Sequence, residues 1–115
     1  MIDQWIAEIK KTCPPERLGM LLVHNGVVRA SSKEGKPVRG MMLSYDRAAL
    51  DELVRRMRAT QGIADIRVWI NEGELKIGDD IMYVCVAGRF RTDIFPVFQE
   101  LITLIKTQIV REEEL

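Results

Sequence analysis

The feature that most constrains the fold of this chain is an uninterrupted apolar segment, residues 81–87, with the sequence Ile-Met-Tyr-Val-Cys-Val-Ala. A strand that faces water on one side alternates apolar and polar residues, and this segment shows no alternation. Strands that are buried on both faces have this continuous apolar pattern. The sequence therefore predicts a central strand covered on both faces, and the rest of the chain has to supply that cover.

Three helices are predicted from apolar residues at three- and four-residue spacing. The first spans residues 1–12 and stops at a pair of prolines, and the second follows an N-cap at Asp46 and ends near Gly62. The third begins at a cap at Asp93, which places Pro96 in the first turn. The apolar positions of the three helices are Ile2, Trp5, Ile6 and Ile9; Leu50, Leu53, Val54 and Met57; and Ile94, Phe98, Leu101, Ile102, Ile105 and Ile109.

Strands are predicted on either side of the second helix, joined by loop and turn segments. Gly26 lies inside the first strand and indicates a bulge or a close backbone approach. The order α-β-β-α-β-β-α, with hairpin-length connections, favours a mixed α/β (α+β) sandwich over a parallel doubly wound sheet. Besides the central strand, the predicted strands are residues 18–29, 38–45 and 66–70, with a loop at 30–37 and turns at 72–80.

Composition excludes several classes of protein. The 115 residues include 17 Lys and Arg against 17 Asp and Glu, and 47% are apolar, which suits one globular domain over residues 1–115. A zero net charge argues against a general nucleic-acid binder, because such binding requires a basic excess. No apolar run is long enough to cross a membrane, and the charged N-terminus does not resemble a signal peptide. We expect a cytoplasmic protein that contacts neither nucleic acid nor membrane.

The residue types most often used in catalysis are scarce. Cys13 and Cys85 are widely spaced, and with His24 they cannot complete a zinc site, so we expect two reduced, buried thiols, no metal and no cofactor. His24 is expected to be a structural histidine with satisfied hydrogen bonds. The chain has no nucleophile elbow and no phosphate-binding glycine loop.

Three cationic residues stand where anions often bind. Arg29 ends a predicted buried strand, Arg91 lies between a buried strand and a helix start, and Lys106 lies on the last helix. Helix N-termini favour negative charge, and arginine can hold a phosphate through two hydrogen bonds. Taken singly, each of these residues is also typical of solvated surface.

Four segments together resemble one family, the large, catalytic subunit of molybdopterin synthase. Residues 19–29 (GMLLVHNGVVR) resemble its Gly-x-Val-Val-x-Phe-x-Gly-x-Val-Arg signature, and residues 73–79 (GELKIGD) resemble its Gly-Glu-Leu-x-x-Gly-Asp turn. Residues 91–95 (RTDIF) are similar to its His-Arg-x-x-Ala-Phe helix start without the His, and residues 104–106 (LIK) to its Asp-x-Leu-Lys helix end. The four occur in the same order at nearly the same spacing, over about residues 18–112.

The resemblance implies a fold, partners and a reaction. The fold is of the α/β hammerhead type, with a mixed or antiparallel sheet and flanking helices. The implied assembly is a homodimer that binds two small ubiquitin-like sulfur-carrier subunits, giving a heterotetramer. The carrier's Gly-Gly C-terminus, as a thiocarboxylate, gives sulfur to cyclic pyranopterin monophosphate and yields molybdopterin. The attacking sulfur arrives on the partner, so the large subunit mainly positions anions and moves protons.

The resemblance also implies roles for individual residues. Arg29 and Arg91 hold the phosphate and pterin oxygens, and Lys106 is the catalytic lysine beside the thiocarboxylate. Where the family has a second lysine near the C-terminus, Arg111 supplies a cation that cannot act as an acid or base near neutral pH. Phe90 occupies the place of the family's histidine and has no group that exchanges a proton.

Three hypotheses remain open from the sequence. The chain is an active, divergent large subunit of the synthase, or a non-catalytic relative that keeps the dimer and binds the carrier or the pterin. The third hypothesis is an unrelated α+β domain with chance matches. Convergence of Arg29, Arg91 and Lys106 in one pocket would favour the enzyme.

Overall fold

The computed structural model describes residues 1–115 and contains three α-helices and six strands. The helices are α1 (Ile2–Thr12), α2 (Arg47–Arg58) and α3 (Arg91–Leu104), with a 3₁₀ turn at Pro15–Arg17 and a π-helical turn at Ile105–Ile109. The strands are β1 (Met20–Val27), β2 (Gly40–Tyr45), β3 (Ile63–Ile70), β4 (Gly73–Lys76), β5 (Asp80–Gly88) and β6 (Val110–Glu114).

Strand β5 is the centre of the first sheet, whose order is β1-β5-β3 with both pairs antiparallel. One face of β5 places Val84 and Val86 in the main core. The opposite face places Cys85 and Ala87 against Ile9 of α1, and all three are fully buried. The predicted central strand, covered on both faces, is confirmed.

A second antiparallel sheet has the order β4-β2-β6 and closes the same core from another side. Met41 and Leu43 of β2 and Leu75 of β4 are buried in that core. Neither β4 nor β6 is predicted by the sequence. Strand β4 is short and lies between turn glycines, and β6 reads Val-Arg-Glu-Glu-Glu, a composition that disfavours strand. Only their pairing with β2 makes them strands.

The N-cap of α2 is the predicted one. The Asp46 side chain accepts a hydrogen bond from the Ala49 backbone N–H at 3.0 Å. Leu50, Leu53 and Met57 follow on the buried face, as their spacing indicates.

Both ends of the last helix differ from the prediction. Helix α3 has Phe90 as its N-cap residue, so Asp93 is not the cap and instead pairs with Arg89 at 3.5 Å. Pro96 therefore lies inside the helix, where it removes one backbone hydrogen bond. The α-helix ends at Leu104 and continues as the π-helical turn, rather than running through Ile109.

The architecture is that of helices packed on antiparallel sheets, which confirms the predicted α+β class. All four strand pairs are antiparallel. No helix is long and apolar enough to cross a membrane.

The cap of α2 gives a test of the fold. We expect Asp46→Ala to lower the free energy of unfolding by about 1 kcal/mol, because the first turn loses the side chain that satisfies a free backbone N–H. Urea denaturation followed by circular dichroism measures this loss. Asp51→Ala changes an exposed carboxylate inside the same helix and is the control; an equal loss in both variants would contradict the capping role.

Candidate functional site

The π-helical turn after α3 positions Lys106. Its Nζ donates a hydrogen bond to Glu112 Oε1 of β6 at 2.5 Å, and the two side chains are 38% and 23% exposed. Ile105 and Ile109 anchor the turn in the core on either side of the lysine. Widened turns of this kind are frequent at functional sites, because they redirect side chains at the end of a helix.

His24 of β1 lies on the sheet face that α3 covers. It stands opposite Val84 in the register of β1 and β5, and its ring packs edge-on against Phe98 of α3, with ring centroids 6.4 Å apart. Its Nε2 is buried and has no hydrogen-bond partner. The prediction of a histidine with satisfied hydrogen bonds is therefore wrong. The cause is that the neighbours supplied by β5 and α3 are apolar.

The surroundings keep the His24 imidazole neutral. Burial lowers its pKa below the usual 6.5, and the positive charge of Lys106 lowers it further. At pH 7 the ring is uncharged and can accept a proton.

Gly26 leaves a small gap beside this ring. A Cβ at position 26 would lie 3.4 Å from His24 Nε2 and 3.5 Å from Ile81 Cβ, which is ordinary contact distance. The register between β1 and β5 shifts after Gly26, where Val27 pairs with Asp80. The sequence predicted a bulge or a close backbone approach at this glycine; the register shift lies directly after it, and the extra residue is Ile81 of β5.

Arg29 follows β1 and is exposed. Its Nε donates to the carbonyl oxygen of Ser31 at 2.8 Å, and no carboxylate pairs with it. The preceding Val28 is buried and exchanges backbone hydrogen bonds with the β4–β5 turn, through Asp79 O and Gly78 N–H. The arginine thus extends from a fixed strand end with its terminal nitrogens unpaired.

Arg91 is the first residue of α3, and Lys106 lies two residues after its last residue, Leu104. They are 15 positions apart, which at about 1.5 Å per residue is roughly 22 Å. Arg91 borders a cavity of about 450 Å³ that is also lined by Gly19, Arg89 and Phe90. Phe90, in the place of the family's histidine, is 62% exposed, and the Arg89 guanidinium stacks on its ring at 5.5 Å.

Arg111 lies in β6, next to the glutamate that binds Lys106. Successive side chains of a strand point to opposite faces, so Arg111 points away from Lys106 while Glu112 points toward it. Arg111 borders a depression of about 640 Å³ between the end of β2 and the π-helical turn, with Ser44 among its lining residues.

One chain therefore does not gather all the predicted site residues in one pocket. Lys106 is paired with Glu112 of β6, and its charge acts on the pKa of His24; the sequence predicted neither residue as part of the site. Arg91 lies at the other end of α3, and Arg111 lies on the other face of β6. A signal for His24 was present in the sequence, because it stands where the family signature has phenylalanine.

The cysteines supply no obvious nucleophile. Both are free, and Cys85 is fully buried, which raises its pKa to about 11. A thiol with so high a pKa is inert near neutral pH. Cys13 is only half-buried, in contrast to the expectation for both thiols. No three His, Cys, Asp or Glu side chains are grouped so that they could hold a metal ion.

Solved structures match this fold over nearly its full length. Molybdopterin synthase from Staphylococcus aureus matches with a TM-score of 0.78 at 17% identity, covering 100% of this chain and 84% of that chain. The molybdopterin biosynthesis MoaE protein from Burkholderia ambifaria matches with a TM-score of 0.76 at 22% identity, covering 99% and 78%. A complex of subunits 1 and 2 of molybdopterin-converting factor from Helicobacter pylori matches with a TM-score of 0.73 at 16% identity, covering 99% and 77%.

At these identities the structural likeness shows the fold, and the family is shown by the sequence. No curated protein matches the chain at a significant level. Residues 2–108 match the family described as MoaE protein. This match confirms the predicted family, the large subunit of molybdopterin synthase. Proteins of this family function in molybdenum cofactor biosynthesis. The chain belongs to the MoaE family.

Proposed function

We propose that this chain is the sulfur-transferring large subunit of a molybdopterin synthase. In this reaction the thiocarboxylated C-terminus of a small carrier subunit gives its sulfur to cyclic pyranopterin monophosphate, and molybdopterin forms. The observation that carries the proposal is Lys106, which the π-helical turn presents within reach of solvent in a chain whose residues 2–108 match the MoaE family.

The proposed reaction requires a positive charge and a proton-exchanging group from this chain, and it requires no nucleophilic cysteine. The sulfur arrives on the carrier, so no cysteine of this chain has to attack, and the buried Cys85 does not. What the chain provides is positive charge and proton exchange near a negatively charged acyl end. Lys106 supplies the ammonium, and Glu112 fixes its position by the hydrogen bond at 2.5 Å.

A small carrier is the proposed partner. The Helicobacter pylori neighbour is a complex of two subunits of molybdopterin-converting factor, and the fold it shares with this chain supports a comparable small subunit here. We propose a ubiquitin-like carrier with a Gly-Gly C-terminus, as the resemblance to the synthase family implies. The proposed location of the reaction is the cytoplasm.

We propose a homodimer, so that with two carriers the assembly is a heterotetramer. The roughly 22 Å between Arg91 and Lys106 prevents one chain from placing both on a small ligand. In a homodimer, Arg91 of one copy completes the Lys106 site of the other. Arg29 belongs to the same site on this proposal, because its terminal nitrogens are free to hold a phosphate.

A second candidate function is a non-catalytic relative that binds the carrier or the pterin. Two observations favour it. Phe90 is exposed where the family has a histidine, and Lys106 is engaged by Glu112 rather than free. Such a protein binds the thiocarboxylated carrier without releasing molybdopterin, so product formation by the purified protein decides between the two candidates.

Substitution of Lys106 tests the catalytic proposal. We expect Lys106→Ala to reduce conversion of the pterin precursor by about 100-fold or more, because it removes the ammonium beside the acyl end. Lys106→Arg keeps the charge but holds its proton, and separates charge stabilisation from proton transfer. The measurement is molybdopterin formed with thiocarboxylated carrier. Lys10→Ala, on exposed α1, is the control. Full activity of Lys106→Ala would overturn the assignment.

A mixing experiment tests the shared site. We expect Arg91→Ala and Lys106→Ala to be inactive as pure dimers. An equimolar preparation that assembles at random recovers about a quarter of wild-type activity, because about half of its dimers are mixed and each mixed dimer has one intact site of two. Activity is measured after co-refolding or co-expression of the two variants. No recovery from mixed dimers, with both chains folded, would contradict a site shared between copies.

A further inference from the structure

The inference concerns Arg89, which lies between β5 and the N-cap residue of α3, and it rests on the proposed function. Arg89 and Arg91 line the same open cavity of about 450 Å³ at the N-terminal end of α3. Arg91 belongs to the segment that resembles the family motif, whereas Arg89 lies outside that segment and is given no role by the sequence. A second arginine in this cavity therefore needs an explanation of its own.

The backbone of Arg89 is fixed by close contacts with glycines. Its N–H donates a hydrogen bond to the carbonyl oxygen of Gly62 at 3.0 Å. A Cβ at Gly19 would overlap the carbonyl oxygen of Arg89, and the Gly19 N–H donates to the carbonyl oxygen of Gly88 at 2.7 Å. The two chain segments can approach so closely only because position 19 has no side chain. The point from which the Arg89 side chain extends is therefore set by the sheet.

The guanidinium of Arg89 is held from two sides. Its Nε lies 3.5 Å from Asp93 Oδ2, and its central carbon lies 5.5 Å from the centre of the Phe90 ring. Asp93 packs against the bare backbone of Gly62, where a Cβ would overlap the carboxyl group. The arginine fork is therefore oriented before a ligand arrives, and less conformational entropy is lost on binding.

The terminal nitrogens of Arg89 remain available to a ligand. Asp93 is the one carboxylate paired with this guanidinium, through Nε, and the arginine side chain is 37% exposed. Arg91 is exposed and pairs with no carboxylate. Two arginines thus face one carboxylate, so the cavity keeps a net positive charge. The first backbone N–H groups of the 14-residue α3 have no side-chain cap and add donors at the same end.

We propose that Arg89 is a substrate-binding residue that holds the phosphate group of the pterin precursor together with Arg91. Two planar guanidinium groups suit the oxygens of a phosphate, which accept several charge-assisted hydrogen bonds. Asp93 and Phe90 are positioning residues, because the carboxylate pairs with Nε and the exposed ring supports the guanidinium. Phe90 thus contributes through its contact with Arg89 and not through proton exchange.

Calorimetric titration with the precursor in the absence of any carrier tests this role, because binding then needs no turnover. We expect Arg89→Ala to raise the Kd of the precursor about tenfold or more, since a hydrogen-bonded ion pair with the phosphate is lost. Arg89→Lys keeps the charge without the planar fork and is expected to recover only part of the affinity. Arg56→Ala removes an exposed arginine of α2 and is the control. Wild-type affinity in folded Arg89→Ala would overturn the proposal.

A pterin that lacks the phosphate identifies the group that Arg89 binds. We expect this ligand to bind the wild type and Arg89→Ala with the same affinity, because the arginine then has no phosphate to contact. Equal weakening of both pterins by Arg89→Ala would contradict a phosphate contact. Titration with inorganic phosphate separates a free ion from the phosphate of the substrate. If the Kd of inorganic phosphate depends on Arg89 while the Kd of the precursor does not, the cavity holds a free ion only and the proposal fails.

Substitution of Phe90 tests the positioning of the guanidinium. Phe90 is 62% exposed, so Phe90→Leu is expected to keep the fold. Loss of the cation–π contact is expected to raise the Kd of the precursor about threefold, whereas Phe90→Tyr keeps the ring face and the wild-type Kd. The Kd of the phosphate-free pterin stays unchanged in both variants, which a general structural defect would not allow. An unchanged Kd of the precursor in Phe90→Leu would contradict the positioning role.

The outcomes separate this proposal from the proposed function. If the wild type binds the precursor through Arg89 but forms no product with the thiocarboxylated carrier, the catalytic function fails and the phosphate site stands. If product forms and Arg89→Ala changes neither the Kd nor the KM of the precursor, the proposed function stands and the role of Arg89 fails. If the wild type neither binds the precursor nor forms product, both fail.

Discussion

The two-sided burial of β5 is the constraint on which the rest of this structure depends. Val84 and Val86 fill the core under α3, while Cys85 and Ala87 require the cover of Ile9. A strand with apolar side chains on both faces is stable only when layers lie above and below it. The register between β1 and β5 determines which residues of β1 face α3. The packing of the core therefore determines the position of the β1 side chains around the candidate site.

The charge of Lys106 has two effects in the structure, one on Glu112 and one on the half-buried imidazole of His24. Burial and the charge of Lys106 act in the same direction on the pKa of His24, and both keep the ring neutral at pH 7. The hydrogen bond from Lys106 to Glu112 ties the ammonium to β6, which couples the site to the second sheet.

Helix length decides how the remaining cations can contribute. Arg91 and Lys106 are fixed at the two ends of one rigid element, so no rotamer of either side chain closes the roughly 22 Å between them. Two copies of the chain can place Arg91 of one copy beside Lys106 of the other, whereas a single copy cannot bring the two residues together. Arg29 lies beyond the end of β1 with free terminal nitrogens, and Arg111 lies on the face of β6 that points away from Lys106.

The sequence alone determined the features that depend on local pattern: the buried central strand, the helix capped by Asp46 and the family. It did not determine β4 or β6, because their residues become strands only through pairing with β2, and it misplaced the start of α3 at Asp93. Nor could it show that His24 Nε2 lacks a partner or that Arg91 and Lys106 lie far apart. Hydrogen-bond satisfaction and distance between elements depend on packing among residues remote in the chain, and only the tertiary structure decides them.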